Sequence, residues 1–94
     1  MKNQVPIALF RLGRIVATAS AVEHLSQEEI LTGIQRHQAG DWGELDAHDR
    51  QVSDRGLVDG DRLVSVYHSA TGVKFYIITE WDRSVTTVLL PEDY

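Results

Sequence analysis

A chain of 94 residues with 43% hydrophobic and 24% charged content makes one domain around a single core, and this composition excludes a chain that stays disordered. With no cysteine there is no disulfide framework, thiol nucleophile or thiolate metal site, which suits a reducing cytoplasm. The net charge of −5 is concentrated in residues 21–61, where ten acids face three arginines for a local −7, and this argues against general DNA or RNA binding, because cations supply most of that affinity.

In chain order, the first expected element is a strand over residues 9–18 that carries Ile15 and Val16, with Gly13 inside it as a bulge or a point of close approach. Ser20 and Glu23 have capping-box spacing and open a short turn. Ser26 and Glu29 repeat that spacing, flanked by Leu25 and Ile30 at the two positions of a hydrophobic staple. Ile30, Leu31 and Ile34 then form a helical apolar stripe that stops before Gly40. Arg36 and a protonated His37 would sit at the C-terminal end of this helix, where cations are favoured.

A second helix is expected over residues 46–58, with Asp46 as N-cap, Asp49 in the first turn and a thin apolar side of Leu45, Val52, Leu57 and Val58. Asp59-Gly60-Asp61 closes it. Three strands follow, over residues 63–69, 73–80 and 85–90, joined by turns at 70–72 and 81–84 and stopped by Pro91. The fold class is therefore α+β: a single domain over residues 1–94, ordered β-α-α-β-β-β, with an antiparallel sheet and helices packed on one face.

The segment Arg36-His37-Gln38-Ala39-Gly40-Asp41-Trp42-Gly43-Glu44 is the densest in chemistry. Its two glycines bracket a tryptophan, so it reads as a shaped connection and not as the interior of an element. Trp42 and Trp81 each sit in a turn beside an aspartate (Asp41, Asp82). The plain reading is an indole that caps the core with its N–H on backbone; the functional one is an interface anchor ringed by acids. Trp42 as apolar anchor and the acids Asp41, Glu44, Asp46, Asp49 and Asp54 around it are the candidate partner-binding set.

His24, His37, His48 and His68 are scattered over the chain without ligand spacing, so no metal site and no cofactor are expected. Helices followed by a meander also match the layout of small ribonucleases of the barnase, colicin and RelE type. Such a site would draw on His37, Tyr67 and Arg83, with His68 and Arg62 as further candidates for proton transfer and phosphate contact. Tyr67 and His68 are adjacent in one strand, however, and so point to opposite faces. The longest apolar runs are about five or six residues, far short of the roughly 20 of a spanning helix, and no signal-peptide core is present, so a cytoplasmic protein without membrane attachment is expected.

Three blocks carry a family resemblance: Leu12-Gly13-Arg14-Ile15-Val16-Ala17-Thr18, then Arg36-His37 with Gly40-Asp41-Trp42-Gly43-Glu44, then the run from Ile77 through Glu80-Trp81-Asp82-Arg83-Ser84-Val85-Thr86-Thr87 to Tyr94. Over residues 10–94 the chain resembles a group of small accessory proteins carried on plasmids, phages and other mobile elements. Ser53 departs from that pattern, which has asparagine there. The resemblance implies a counter-defence role of the anti-CRISPR kind: a non-enzymatic blocker whose acidic surface occupies the basic groove of a host nucleoprotein or nuclease complex. A ribonuclease-like toxin and a plasmid-maintenance binding module are the alternatives. An exposed edge strand at residues 9–16 or 85–90 would allow a homodimer.

Overall fold

Residues 7–94 are described by the computed structural model; Lys2 of the basic N-terminal stretch lies outside them. The element order is β1 (Arg14–Ala17), α1 (Ala19–His24), α2 (Gln27–Gln38), α3 (Ala47–Asp59), β2 (Leu63–His68), β3 (Lys74–Thr79) and β4 (Val85–Leu89), with a 3-10 turn over Pro91–Asp93. No helix is long and apolar enough to cross a membrane among the described residues.

The strongest local signal is realised in full. Ser26 Oγ accepts the Glu29 N–H at 3.0 Å while Glu29 Oε1 accepts the Ser26 N–H at 2.9 Å, which satisfies two of the helix's unpaired donors reciprocally. The second oxygen of Glu29 accepts the Ala70 N–H at 2.9 Å, so the same side chain ties the start of α2 to the β2–β3 hairpin. Hydrogen bonds from the Ser26 and Ala70 backbones hold the Glu29 carboxyl below its ordinary range. Ser26→Ala should cost about 0.5–2 kcal/mol, readable by thermal denaturation as a lower Tm with an unchanged circular dichroism spectrum at 20 °C; an unchanged Tm would refute the cap's contribution.

The inward stripe of α2 differs from the expected one. Leu31 points outward and is 58% exposed, and the buried row is Gly33, Ile34 and His37, with Ile30 half-buried. These follow the i, i+3, i+4, i+7 spacing of one helix face. Gly33 belongs to it because a Cβ there would lie 3.0 Å from Ile77 Cδ1 and 3.1 Å from the Phe75 ring. The missing side chain lets α2 settle onto β3.

Two further boundaries move. The first strand is four residues long, not ten, and Gly13 precedes it with φ +65°. A Cβ at Gly13 would run into the carbonyl oxygens of Arg83 and Ser84, so the glycine marks close approach and not a bulge. The short turn expected after Ser20 is a helix, α1, capped by Thr18, whose hydroxyl accepts the Ala21 N–H at 3.1 Å. The same hydroxyl donates to Asp93 Oδ2 at 2.6 Å, a partner 75 residues away.

The sheet runs in the order β1-β4-β3-β2. β2, β3 and β4 form the expected antiparallel meander, but β1 pairs with β4 in parallel, from Arg14 opposite Val85 to Ala17 opposite Val88, so the sheet is mixed. β4 is thereby an interior strand, and residues 85–90 offer no edge for a dimer; β1 does lie at the sheet's edge.

Buried Ala21, Leu25, Ile34, Tyr67, Phe75, Ile77, Val88 and Leu90 form the core between α1, α2 and one sheet face. α3 lies along the free side of β2, where Ser53 Oγ donates to Val64 O at 3.3 Å and Gly56 abuts Leu63. Its contact surface is Ser53 and Gly56, not the expected apolar side: Val52 and Val58 are exposed and Leu57 is half-buried. Ser53 therefore has a packing role.

Candidate partner-binding surface

The 36–44 connection folds by two devices. Gly40, with φ +81°, ends α2, and the segment then runs beside β2, with Trp42 O accepting the Val66 N–H at 3.1 Å and the Glu44 N–H donating to Val66 O at 2.8 Å. Gly43 bridges Val66 in parallel at φ +73°, where a Cβ would meet Val66 O and the Tyr67 ring. This added backbone closes the middle of the β2 edge, and the left-handed φ at Gly43 breaks strand alternation, so that Trp42 turns inward and Glu44 outward.

Asp41 turns back. Its Oδ2 accepts from Arg36 Nε at 2.7 Å, its Oδ1 accepts the Gly43 N–H at 3.1 Å, and its carbonyl accepts the Tyr67 hydroxyl. The Arg36 guanidinium, which also lies 4.4 Å from the centroid of the Tyr67 ring, holds the Asp41 carboxyl below the usual carboxylate range. Burial pushes the Tyr67 hydroxyl up to about 12, so it stays a hydrogen-bond donor at neutral pH. Glu44 points away and pairs with His68 Nδ1 at 2.7 Å, both side chains being exposed.

Trp42 points inward and is 4% exposed. Its ring stacks on Phe10 at 6.4 Å between centroids and meets the edge of His37 at 5.6 Å. Its N–H donates to Asp54 Oδ1 at 2.8 Å, a carboxylate and not backbone. The expected interface anchor is thus a core residue and cannot reach a partner. Trp81 behaves in the opposite way to the plain expectation: it is 67% exposed and caps no core.

The residues named for the alternative ribonuclease reading do not share an open site. His37 is fully buried, and its expected protonation is reversed: burial, with the nearby charge of Arg83, brings its pKa down to about 4. Its Nδ1 lies 2.6 Å from Ser65 Oγ and its Nε2 2.9 Å from Thr79 Oγ1; Thr79 Oγ1 is 2.7 Å from Thr86 Oγ1, which donates to Leu12 O at 2.7 Å.

A carbonyl only accepts, and this fixes the direction of the whole chain. Thr86 gives its proton to Leu12, Thr79 donates to Thr86, His37 Nε2–H donates to Thr79, and Ser65 donates to Nδ1. Every member is satisfied with the imidazole neutral. Sequence reasoning missed Ser65, Thr79 and Thr86 as core residues. Their signal was the alternation with Leu63, Ile77 and Val88, which places all of them on one sheet face.

Arg83, in the left-handed region at φ +60°, donates to the carbonyls of Asp61 at 2.6 Å and Gly56 at 3.1 Å, and so links the β3–β4 turn to the end of α3. Arg62 donates to Tyr94 Oη at 3.1 Å, and Tyr67 is buried on the helix side while His68 is exposed on the other. Among the described residues no group of three or more His, Asp or Glu could hold a metal ion.

The acids of the candidate set divide around the 42–44 segment. Asp41 and Asp54 flank Trp42 on one side, in a shallow hollow shared with Arg50. Glu44, Asp46 and Asp49 stand on the other side, all exposed, along one wall of a groove of about 430 Å³. The floor of that groove is the outer sheet face, with Val64 and Tyr76, and Tyr94 closes it.

Fold and surface together define a small α+β domain whose open face is an acidic, partly aromatic groove. Comparison with protein-family models, with curated proteins and with solved structures found no match.

Proposed function

We propose that this chain is a non-enzymatic binding protein that docks on a basic protein or nucleoprotein surface through its acidic segment, in the manner of a counter-defence inhibitor. The carrying observation is the row of Glu44, Asp46 and Asp49 along one wall of an open groove. Carboxylates so placed speed encounter with a cationic surface and select against nucleic acid. The buried, fully bonded state of His37 adds support, since an imidazole closed from solvent cannot exchange protons with a substrate. Defence complexes that handle nucleic acid present such basic grooves, and the family resemblance supplies that context.

A ribonuclease-like reading is carried by one observation. His68, oriented by Glu44, lines an open cleft of about 340 Å³ with Arg36 and Ser69. An imidazole held by a carboxylate beside a guanidinium is the minimum for acid–base work on a phosphodiester. Glu28 and Glu29 line the same cleft and oppose a phosphate there.

One experiment separates the two. Tagged protein is incubated with lysates of bacteria with and without CRISPR systems, eluted over a salt gradient, and assayed in parallel for RNA cleavage. The expected result is co-elution of a defence nucleoprotein at moderate salt, lost in the Glu44→Gln, Asp46→Asn, Asp49→Asn variant, with no cleavage. Asparagine caps a helix as well as aspartate, so Asp46→Asn leaves α3 in place. Unchanged capture by the variant, or capture of background proteins only, would overturn the proposal. Cleavage abolished by His68→Gln would replace it with the nuclease reading.

A further inference from the structure

Resting on that reading, we infer that the groove accepts an extended lysine- and arginine-bearing segment of the partner, laid across the outer face of the sheet between the start of α3 and Tyr94. The groove offers each part of such a side chain its own surface. Val64 and the Tyr76 ring give an apolar floor for the aliphatic stem. Glu44, Asp46 and Asp49 give carboxylates for the cationic head. Two rings stand beside them, Tyr76 and Tyr94, edge to face with centroids 5.9 Å apart.

These rings already hold cations of the chain itself. Lys74 Nζ lies 5.7 Å from the Tyr76 centroid and the Arg62 guanidinium 5.8 Å from that of Tyr94. The faces are thus placed to receive an ammonium or guanidinium group. Glu44, Asp46 and Asp49 stand against Lys74, while Arg62 on the Tyr94 ring is drawn to Glu80 outside the groove at 4.0 Å, so the groove keeps an unmet negative charge, and this complementarity names the occupant. Glu44 is shared with His68 and Asp46 Oδ1 accepts the Asp49 N–H at 2.8 Å as the cap of α3, which leaves the Asp49 carboxylate and the second oxygen of Asp46 as the principal readers. A flat phosphate-mimicking surface would need acids spread over a face; here they are ranged along one wall above an apolar strip.

The test uses fluorescein-labelled octa-arginine and an octa-glutamine control, titrated by fluorescence anisotropy at low salt. Octa-arginine should bind and octa-glutamine should not. Asp46→Asn with Asp49→Asn should weaken binding by about tenfold or more, as loss of two charge-assisted contacts requires. Lys74→Gln, an exposed change that removes the competing cation, should tighten it. Lys74 is exposed, so its replacement leaves the fold in place, and this variant keeps the inference falsifiable even if the double variant is unstable.

Asp59→Asn with Asp61→Asn, acids outside the groove, should leave binding unchanged. Equal weakening by both acid pairs would overturn the groove and leave the wider acidic-segment reading intact. No octa-arginine binding, with the defence complex still captured, would do the same. Loss of both peptide binding and capture would overturn both. A concentration-dependent dimer dissolved by the Asp46→Asn, Asp49→Asn variant would assign the groove to a second copy of the chain and overturn the inference.

Discussion

Trp42→Ala should destabilise the domain by about 3–5 kcal/mol, the range for deleting a large buried aromatic, whereas Trp81→Ala should change stability by less than about 0.5 kcal/mol. The two tryptophans look alike in sequence, each in a turn beside an aspartate, and the fold treats them oppositely. The Trp42 indole packs against Phe10 and His37, and its N–H to Asp54 joins the 36–44 connection to α3. Its removal leaves a cavity that His37 cannot close, because that ring is held at both nitrogens. Trp81 is 67% exposed and leaves only water behind.

Domains of this size have a total stability of roughly 5–15 kcal/mol, so Trp42→Ala should bring the urea midpoint close to zero for a protein at the lower end. Urea titration followed by far-ultraviolet circular dichroism checks both variants by one probe, since Trp42→Ala would leave fluorescence only the exposed Trp81. Comparable losses at the two positions would show that Trp42 is not the core residue described. There is a functional corollary. Loss of partner capture by Trp42→Ala would reflect unfolding, and Trp42 therefore cannot be used to test the proposed binding surface; Asp46, Asp49 and Lys74 can.

What the chain discloses before folding is what depends on near neighbours. The Ser26–Glu29 box, the Asp46 cap, the stops at Gly40 and Gly60 and the three-strand meander all depend on residues a few positions apart, and all stand in the structure. The parallel pairing of β1 with β4 links residues about seventy positions apart and leaves no local pattern. Thr18 is the cap of α1 although it lacks a Glu or Gln at the third position; Asp93 supports it from the far end of the chain.

The expectation for His37 failed for a different reason. A cation at a helix C-terminus is favoured only where the position faces water, and the spacing of Ile30, Gly33, Ile34 and His37 turns it inward. Counting Gly33 as a contact residue would have revealed this. The candidate acids were legible as a cluster in sequence but not as a surface. The 42–44 segment parts them, leaving three on the groove, and only the structure shows Asp54 committed to an indole.

Acidification offers the sharpest check on the buried network. His37 has a folded-state pKa of about 4 against an ordinary value of 6.5, because burial and the charge of Arg83 disfavour the imidazolium. Above pH 6.5 the imidazole is neutral in both folded and unfolded chains, and this stability is fully present. As pH falls from 6.5 towards 4 the unfolded chain takes up a proton that the folded chain refuses, so stability drops by about 1.4 kcal/mol per pH unit, roughly 3 kcal/mol over the whole window. Below 4 both states are protonated and the loss stops.

Asp41 acts in a separate range. Its carboxyl is held below 3.8 by Arg36, so its contribution is present above that value and is lost as pH falls further. Chemical denaturation at half-unit intervals from pH 7.5 to 4 should show the slope in the wild type. His37→Gln should be less stable at pH 7, having lost its ring contacts with Phe10 and Trp42, and should lack the part of the slope that belongs to residue 37. An identical slope in the two proteins would mean that His37 is not held neutral. The same directional chain that keeps it neutral, from Ser65 through His37 and Thr79 to Thr86 and Leu12, occupies both ring nitrogens, so the histidine of the Arg36–Glu44 segment serves the packing of α2 on the sheet and has no free nitrogen to offer a ligand.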